Sequence, residues 1–147
     1  MSILNKAGFI KSLSLLAALQ FLASTPHANE NNADVIGRWK IAAVLDSSEI
    51  AALSDRQARR LVGKTLAISN DKLEFAGRVC KKPDFDRTQE EPVKYFRESA
   101  HASAAKLGLP TPVTVVHVSC TYVYPKSADE LVVHWRGFFF NAVRQRS

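Results

Sequence analysis

Residues 113–143, VTVVHVSCTYVYPKSADELVVHWRGFFFNAV, carry the reading of the fold. Three strand-like runs follow one another here. In 113–124, Val116, Val118, Cys120, Tyr122 and Tyr124 fall on one face and Val115, His117, Ser119 and Thr121 on the other, which is the period of a strand. Residues 130–136 place Leu131, Val133 and Trp135 inward and His134 with Arg136 outward. After Gly137, a natural turn or bulge, 138–143 continue with Phe138, Phe140 and Ala142 on one face. Three phenylalanines in succession cannot all point inward from a strand, so Phe139 must face a helix, a ligand, a partner or water.

Upstream of these runs the pattern changes from period two to spacings of three and four. Val93, Phe96, Ala100, Ala104 and Leu107 form one apolar stripe. Thr88 with Glu91 has the spacing of a capping box, Glu90 and Glu91 suit a helix N-terminus, and Pro92 is tolerated in a first turn. Lys106, Gly108 and Pro110 supply the stop. These signals predict a long helix over about residues 92–107, leaning on a sheet.

Further towards the N-terminus, Gly37 marks the entry to a strand in which Trp39, Ile41, Ala43 and Leu45 alternate with Lys40, Ala42 and Val44. Asp46 with Glu49 and Ser54 with Gln57 are two more capping-box spacings. The second starts a short helix, with Ala58, Leu61 and Val62 on one face, Arg56, Arg59 and Arg60 elsewhere, and Gly63 at its end. Residues 65–70 and 73–76 read as a hairpin turned at Asn70 and Asp71. Residues 78–86, with Cys80 and the break at Pro83, read as a short strand end passing into loop.

The chain opens with Lys6 and Lys11, an apolar stretch of about 11 residues from Leu13 to Ala23, and a polar region, the plan of a secretory signal peptide. That stretch is too short to span ~30 Å of hydrocarbon as a helix. The expected organisation is a signal peptide at 1–28, a mobile leader at 29–34 and one domain at 35–147. No cysteine follows the apolar stretch to carry a lipid, so the expected product is soluble, without a membrane anchor, in the periplasm or outside the cell. Removal of 1–28 takes two lysines and no acid, lowering the formal charge from +6 to +4. Mild basicity speeds encounter with acidic surfaces. Export argues against nucleic acid as the partner. It also places the two cysteines, Cys80 and Cys120, where disulfides form, and the expectation is one intramolecular bridge.

Motifs for chemistry are sparse. Gly63-Lys64-Thr65 matches only the tail of a phosphate-binding loop, because Ala58 stands where its first glycine belongs. His117 and His134, outward on strands expected to be neighbours, would need at least one more ligand for zinc, so neither a metal nor any other cofactor is expected. Ser119 and His117 share a strand face but only side by side, and no G-x-S-x-G elbow exists. No catalytic set emerges.

Gly37-Arg38-Trp39 at the first strand and Arg144 near the end of the last resemble the G-x-W and terminal basic residue of calycin and lipocalin-like barrels. In that superfamily the tryptophan plugs the closed end and the basic side chain packs across its ring, a contact worth about 0.5–2 kcal/mol. The resemblance gives Gly37, Trp39 and Arg144 structural roles and implies a carrier of a small apolar ligand. The chain also resembles small exported proteobacterial proteins with a G-K-T-L strand and two cysteines, a likeness that implies no activity.

The fold expected from all this is α+β: a strongly curved antiparallel sheet or small β-barrel of about six to eight strands, one long packed helix and one short helix. The expected function is that of a non-catalytic binding protein acting on a protein partner, as an envelope enzyme inhibitor or toxin-neutralising protein would. A lipocalin-like carrier and a host-directed effector are the alternatives. Arg56, Arg59, Arg60, His117, His134 and Phe139 are the candidate binding surface.

Overall fold

The computed structural model describes residues 32–146. The expected signal peptide and residues 29–31 of the expected leader lie outside the described residues. The element order is β1 (Gly37–Ser47), α1 (Asp55–Arg59), β2 (Thr65–Ile68), β3 (Lys72–Phe75), β4 (Arg78–Lys81), β5 (Phe85–Glu90), α2 (Pro92–Ser99), β6 (Val113–Val118), β7 (Thr121–Pro125), β8 (Glu130–Trp135) and β9 (Phe138–Arg144). The nine strands form one sheet in the order β4-β3-β2-β1-β9-β8-β7-β6-β5. Every pairing is antiparallel. The edges β4 and β5 are consecutive in the chain, separated only by residues 82–84, so the sheet curls to bring them near each other without pairing them. The result is a half-barrel compatible with a calycin-like plan.

The α+β expectation is therefore corrected to a mainly β fold with helices of five and eight residues. The predicted helix over 92–107 stops at Ser99. Ala100 is its C-cap and His101 follows in a left-handed conformation, φ 48°. The Ala102 amide then folds back to donate to the Phe96 carbonyl at 3.0 Å. Period alone misled because Phe96, Ala100 and Leu107 are all buried as the stripe required, the last of them delivered by irregular chain. Val93 from the same stripe is 54% exposed. The N-terminal signal was displaced too. Glu91 caps α2 by accepting from the Val93 and Lys94 amides, while Thr88 sits within β5. Only Ser54 with Gln57 makes the reciprocal capping box, at α1. Asp46 with Glu49 starts no helix, since β1 runs on through Ser47.

Two further readings change phase. The run 113–124 is two strands, not one. Val118 pairs with Thr121 and His117 with Tyr122, so a two-residue turn at Ser119 and Cys120 reverses the chain. Thr121 and Val123 consequently join Val116 and Val118 on the interior, and Tyr122 and Tyr124 move to the outer face. In β1, register shifts between Ile41 and Ala43 and between Val44 and Asp46 turn Val44 towards the interior and Leu45 towards the outer layer.

Strands β6 to β9 are apolar on both faces because two cores exist. The interior one is built from Trp39, Leu66, Phe75, Val133, Trp135 and Phe140 among others. The outer one lies beneath α2, where Phe96 meets Phe139 with ring centroids 5.6 Å apart, beside Tyr124 and Val132. Phe139 is fully buried there, and burying a phenylalanine stabilises by about 1.5–3 kcal/mol.

The β8–β9 turn packs closely against the 48–53 loop. Arg136 (φ 51°) and Gly137 (φ 88°) both take left-handed conformations between the paired Trp135 and Phe138. A Cβ on Gly137 would stand 2.5 Å from the Ala51 Cα, a backbone atom with no room to move. Gly137→Ala is expected to destabilise by about 2 kcal/mol through backbone strain and this overlap, read from the urea midpoint. A change below about 0.5 kcal/mol would mean that the 48–53 loop is not packed on the turn.

Candidate functional site

Three hairpin turns converge on one side of the half-barrel, and identifiable contacts bring them there. Phe75 meets Trp135 edge-on at 5.1 Å, which gathers the β3–β4 turn and the β8–β9 turn. Each turn presents an arginine: Arg78 is the first residue of β4 and Arg136 lies in the second turn itself. The third is the β6–β7 turn. Its Ser119 hydroxyl accepts from the Asp84 amide at 2.8 Å, and its Cys120 is joined to Cys80 of β4, with Cα atoms 6.4 Å apart. The expected bridge is thus present. It fastens the short edge strand β4 to the far side of the sheet.

Between these turns lies a cleft of about 740 Å³. Buried Leu73, Trp135 and Thr121 form its deeper part, the disulfide lies nearer the rim with Cys120 exposed, and Val79 and Tyr122 offer exposed apolar surface, at 54% and 37%. Its charged lining is Arg78 and Arg136, joined by His117 and His134, with no aspartate or glutamate. Among the described residues neither guanidinium has an ion pair or hydrogen bond.

Cross-strand register arranges the outer face beside the cleft into a transverse row: Asp86 on β5, His117 on β6, Tyr122 on β7, His134 on β8 and Phe139 on β9. His117 stacks on Tyr122 at 4.5 Å, and His134 stacks on Phe139 at 4.3 Å. Asp86 Oδ2 is 3.9 Å from His117 Nδ1. The two histidines are not on neighbouring strands. Strand β7 separates them by two strand spacings, ~9.6 Å, and the Tyr122 ring fills the gap, so they cannot share a metal ion. Among the described residues no group of three or more His, Cys, Asp or Glu side chains is placed to hold one.

Burial pushes the His134 pKa below its ordinary value, because its imidazolium would lose hydration against Phe139. The sign follows from the depression. Around and below the unfolded value of ~6.5 the unfolded chain takes up this proton more readily than the folded one, so the stability present at neutral pH is lost as pH falls. Wild type is expected to lose more stability between pH 7.5 and pH 5 than His134→Gln, read from paired urea titrations. Equal losses would show that His134 is solvated.

The other candidate residues lie apart from the cleft. Arg56, Arg59 and Arg60 are exposed at α1 and line none of it. Phe139, a candidate surface residue in the sequence, offers no surface because Phe96 covers it. Gly37, Trp39 and Arg144 make a structural knot. The Trp39 indole N–H donates to the Val35 carbonyl at 2.9 Å, and Arg144 Cζ lies 4.1 Å from the ring centroid. That guanidinium donates to the carbonyls of Ala33, Asp34, Ile36 and Ala128. A Cβ on Gly37 would come within 2.7 Å of Arg144 Nη1. Residues 32–34 of the expected leader are tied to the same end, since Arg87 donates to Asp34 at 2.9 Å and to Asn32 at 3.1 Å.

Arg78, Val79, Tyr122 and Arg136 are exposed cleft residues that the candidate set read from the sequence did not include. Recognising 119–120 as a turn would have moved Tyr122 outward, and recognising Ala76-Gly77 as one would have placed Arg78 at a hairpin end. A second cleft, about 920 Å³ between the end of β1 and α2, is lined by both signs of charge: Asp46, Glu49, Arg97 and His101. No known protein family, curated protein or solved structure matches the chain. Among the described residues no helix is long and apolar enough to cross a membrane.

Proposed function

We propose that this chain is a non-catalytic binding domain of the periplasm or secreted space, acting on a protein partner through the cleft between the β3–β4, β6–β7 and β8–β9 turns, as an envelope enzyme inhibitor or toxin-neutralising protein would. The observation that carries the reading is the cleft itself: exposed Val79 and Tyr122 beside two arginines whose side chains pair with none of the described residues, on turns held by a disulfide and an aromatic contact. Arginine and tyrosine on a rigid support are what a protein interface uses as anchors, because little conformational freedom is lost when they are covered. The bridge suits an oxidising compartment. A lipocalin-like carrier would open its barrel interior to a ligand. Here Trp39, Phe75 and Phe140 are at most 2% exposed and line neither cleft, and of the large interior aromatic residues Trp135 alone reaches the cleft between the turns, which favours the partner-binding reading over the carrier.

The test is capture from envelope extract on the immobilised, disulfide-bonded chain, with Tyr122→Ala and Arg136→Glu beside it. A protein retained by wild type and lost by both variants, each with an unchanged urea midpoint, is the expected result. Retention that ignores both substitutions, or no retained protein at all, would overturn the reading.

A further inference from the structure

We infer that the cleft takes an acidic protein segment, a carboxylate with an apolar side chain next to it; this rests on the binding-domain reading above and names the partner's chemistry. The charge pattern is the first ground. Arg78 and Arg136 stand on two different turns at the cleft, and no aspartate or glutamate lines it. The nearest acid in the outer-face row, Asp86, is 80% exposed and sits against His117. An incoming anion therefore meets cations from two turns and no carboxylate among the described lining residues; the adjoining Asp84 touches the cleft through its backbone amide, which donates to Ser119.

The second ground is what arginines do elsewhere in this chain. Arg87 is held by Asp34 and Asn32, Arg144 by four carbonyls, and Arg146 by Asp129. Those three tie chain segments together. Among the described residues the Arg78 and Arg136 side chains tie nothing, as is true also of Arg38, Arg56, Arg59, Arg60 and Arg97; what sets Arg78 and Arg136 apart is that both stand on anchored hairpin ends at the one cleft, Arg78 paired with Phe75 and Arg136 next to paired Trp135. Arg136 also occupies a left-handed turn position, φ 51°, where asparagine, aspartate or glycine is the conformational preference. The turn does not require arginine there. A planar guanidinium does suit a carboxylate, which it meets with two parallel hydrogen bonds.

The third ground is the apolar surface beside the cations. Val79 and Tyr122 are exposed on the same cleft, with Trp135 beneath, so an apolar side chain adjoining the carboxylate would be covered as the charge is met. A bilayer surface is flat on this scale, whereas this site is a hollow between three turns; a protein segment can enter it and a sheet of headgroups cannot follow it.

Four synthetic peptides test the assignment by amide-shift mapping on the isotope-labelled, disulfide-bonded chain. Ac-Gly-Phe-Glu-Gly-NH2 offers a side-chain carboxylate and Ac-Gly-Phe with a free C-terminus offers a terminal one. Ac-Gly-Phe-Gln-Gly-NH2 and Ac-Gly-Phe-Lys-Gly-NH2 are the neutral and cationic counterparts. At least one carboxylate peptide should shift the amides of Arg78, Tyr122 and Arg136, bind at least tenfold tighter than the glutamine peptide, and weaken as salt rises. Whichever carboxylate peptide binds identifies the source of the anion. Arg78→Glu with Arg136→Glu should abolish binding at an unchanged urea midpoint, and Arg78→Gln with Arg136→Gln should weaken it to the level of the neutral peptide. Equal binding of the glutamine peptide, shifts confined to other surfaces, or no shift with either carboxylate peptide would overturn the assignment. So would arginine-dependent sedimentation with phosphatidylglycerol vesicles in the absence of peptide binding. Failure here is separable from failure of the binding-domain reading. A captured protein lost by Tyr122→Ala but kept by the double arginine-to-glutamate variant would leave a binding domain whose partner is not acidic.

Discussion

Removing the Cys80–Cys120 bridge, by reduction or by Cys80→Ser with Cys120→Ser, is expected to lower stability by about 4 kcal/mol, a loss on the order of 20 °C in the thermal midpoint. The two cysteines are 40 residues apart, so the bridge withholds a large loop-closure entropy from the unfolded chain. The folded state depends on it as well. Strand β4 has four residues, pairs only with β3, and faces β5 across the unpaired seam of the half-barrel. Without the bridge, what remains at this seam is the connection 82–84 and the contact between Asp84 and Ser119. The amides of β4 should then exchange fastest among the strands while those of β8 and β9 stay protected, because β9 lies between β1 and β8 in mid-sheet. Cys80 and Cys120 both line the cleft, so acidic-peptide binding should weaken in step. A stability change under about 1 kcal/mol, with β4 still protected, would show that side-chain packing alone holds the seam.

Much of the antiparallel sheet is legible in the sequence, and the parts that are not share a physical cause. Strands β2 and β3 show because one face of each is more apolar, β8 and β9 because they are dense in apolar residues, and the turn chemistry between the members of each pair is explicit: Asn70-Asp71 in one case, Gly137 in the other. Strand β5 does not show. Its sequence, FDRTQE, is that of an edge strand whose inward Arg87 neutralises Asp34 instead of burying apolar surface, so periodicity has nothing to report. The β6–β7 turn is hidden for the opposite reason. Ser119 and Cys120 are ordinary strand residues by type, and apolar residues flank them on both faces because the sheet has a core on each side. The outer core also explains the false long helix: Ala100, Ala104 and Leu107 are apolar because a layer covers them, whatever their backbone does. The candidate cleft was the least legible part, since its rim comes from three separate turns that only the curl of the sheet assembles. By contrast, the bridge was predictable from two cysteines and an expected compartment, and the contact between Trp39 and Arg144 was what the calycin resemblance at the two ends of the domain implied.

Trp39→Ala is expected to cost about 4 kcal/mol. The indole is fully buried, so its loss leaves a cavity that the curved sheet cannot collapse into, and it strips the Val35 carbonyl of the N–H it accepts. The Arg144 guanidinium loses the ring it covers while its hydrogen bonds to the four carbonyls persist. Trp39→Phe should recover more than half of the loss, by filling most of the volume without the donor. Arg144→Met keeps apolar length over the ring but removes both the cation and its hydrogen bonds, and should cost about 2 kcal/mol. A double-mutant cycle on Trp39→Ala and Arg144→Met then isolates the contact itself, with an expected coupling of about 0.5–2 kcal/mol. Coupling below about 0.3 kcal/mol would reduce the two residues to neighbours that happen to be paired in register. This knot shares no lining residue with the cleft, so Arg144→Met should leave acidic-peptide binding unchanged wherever the chain remains folded; a loss of binding there would extend the site to the other end of the half-barrel.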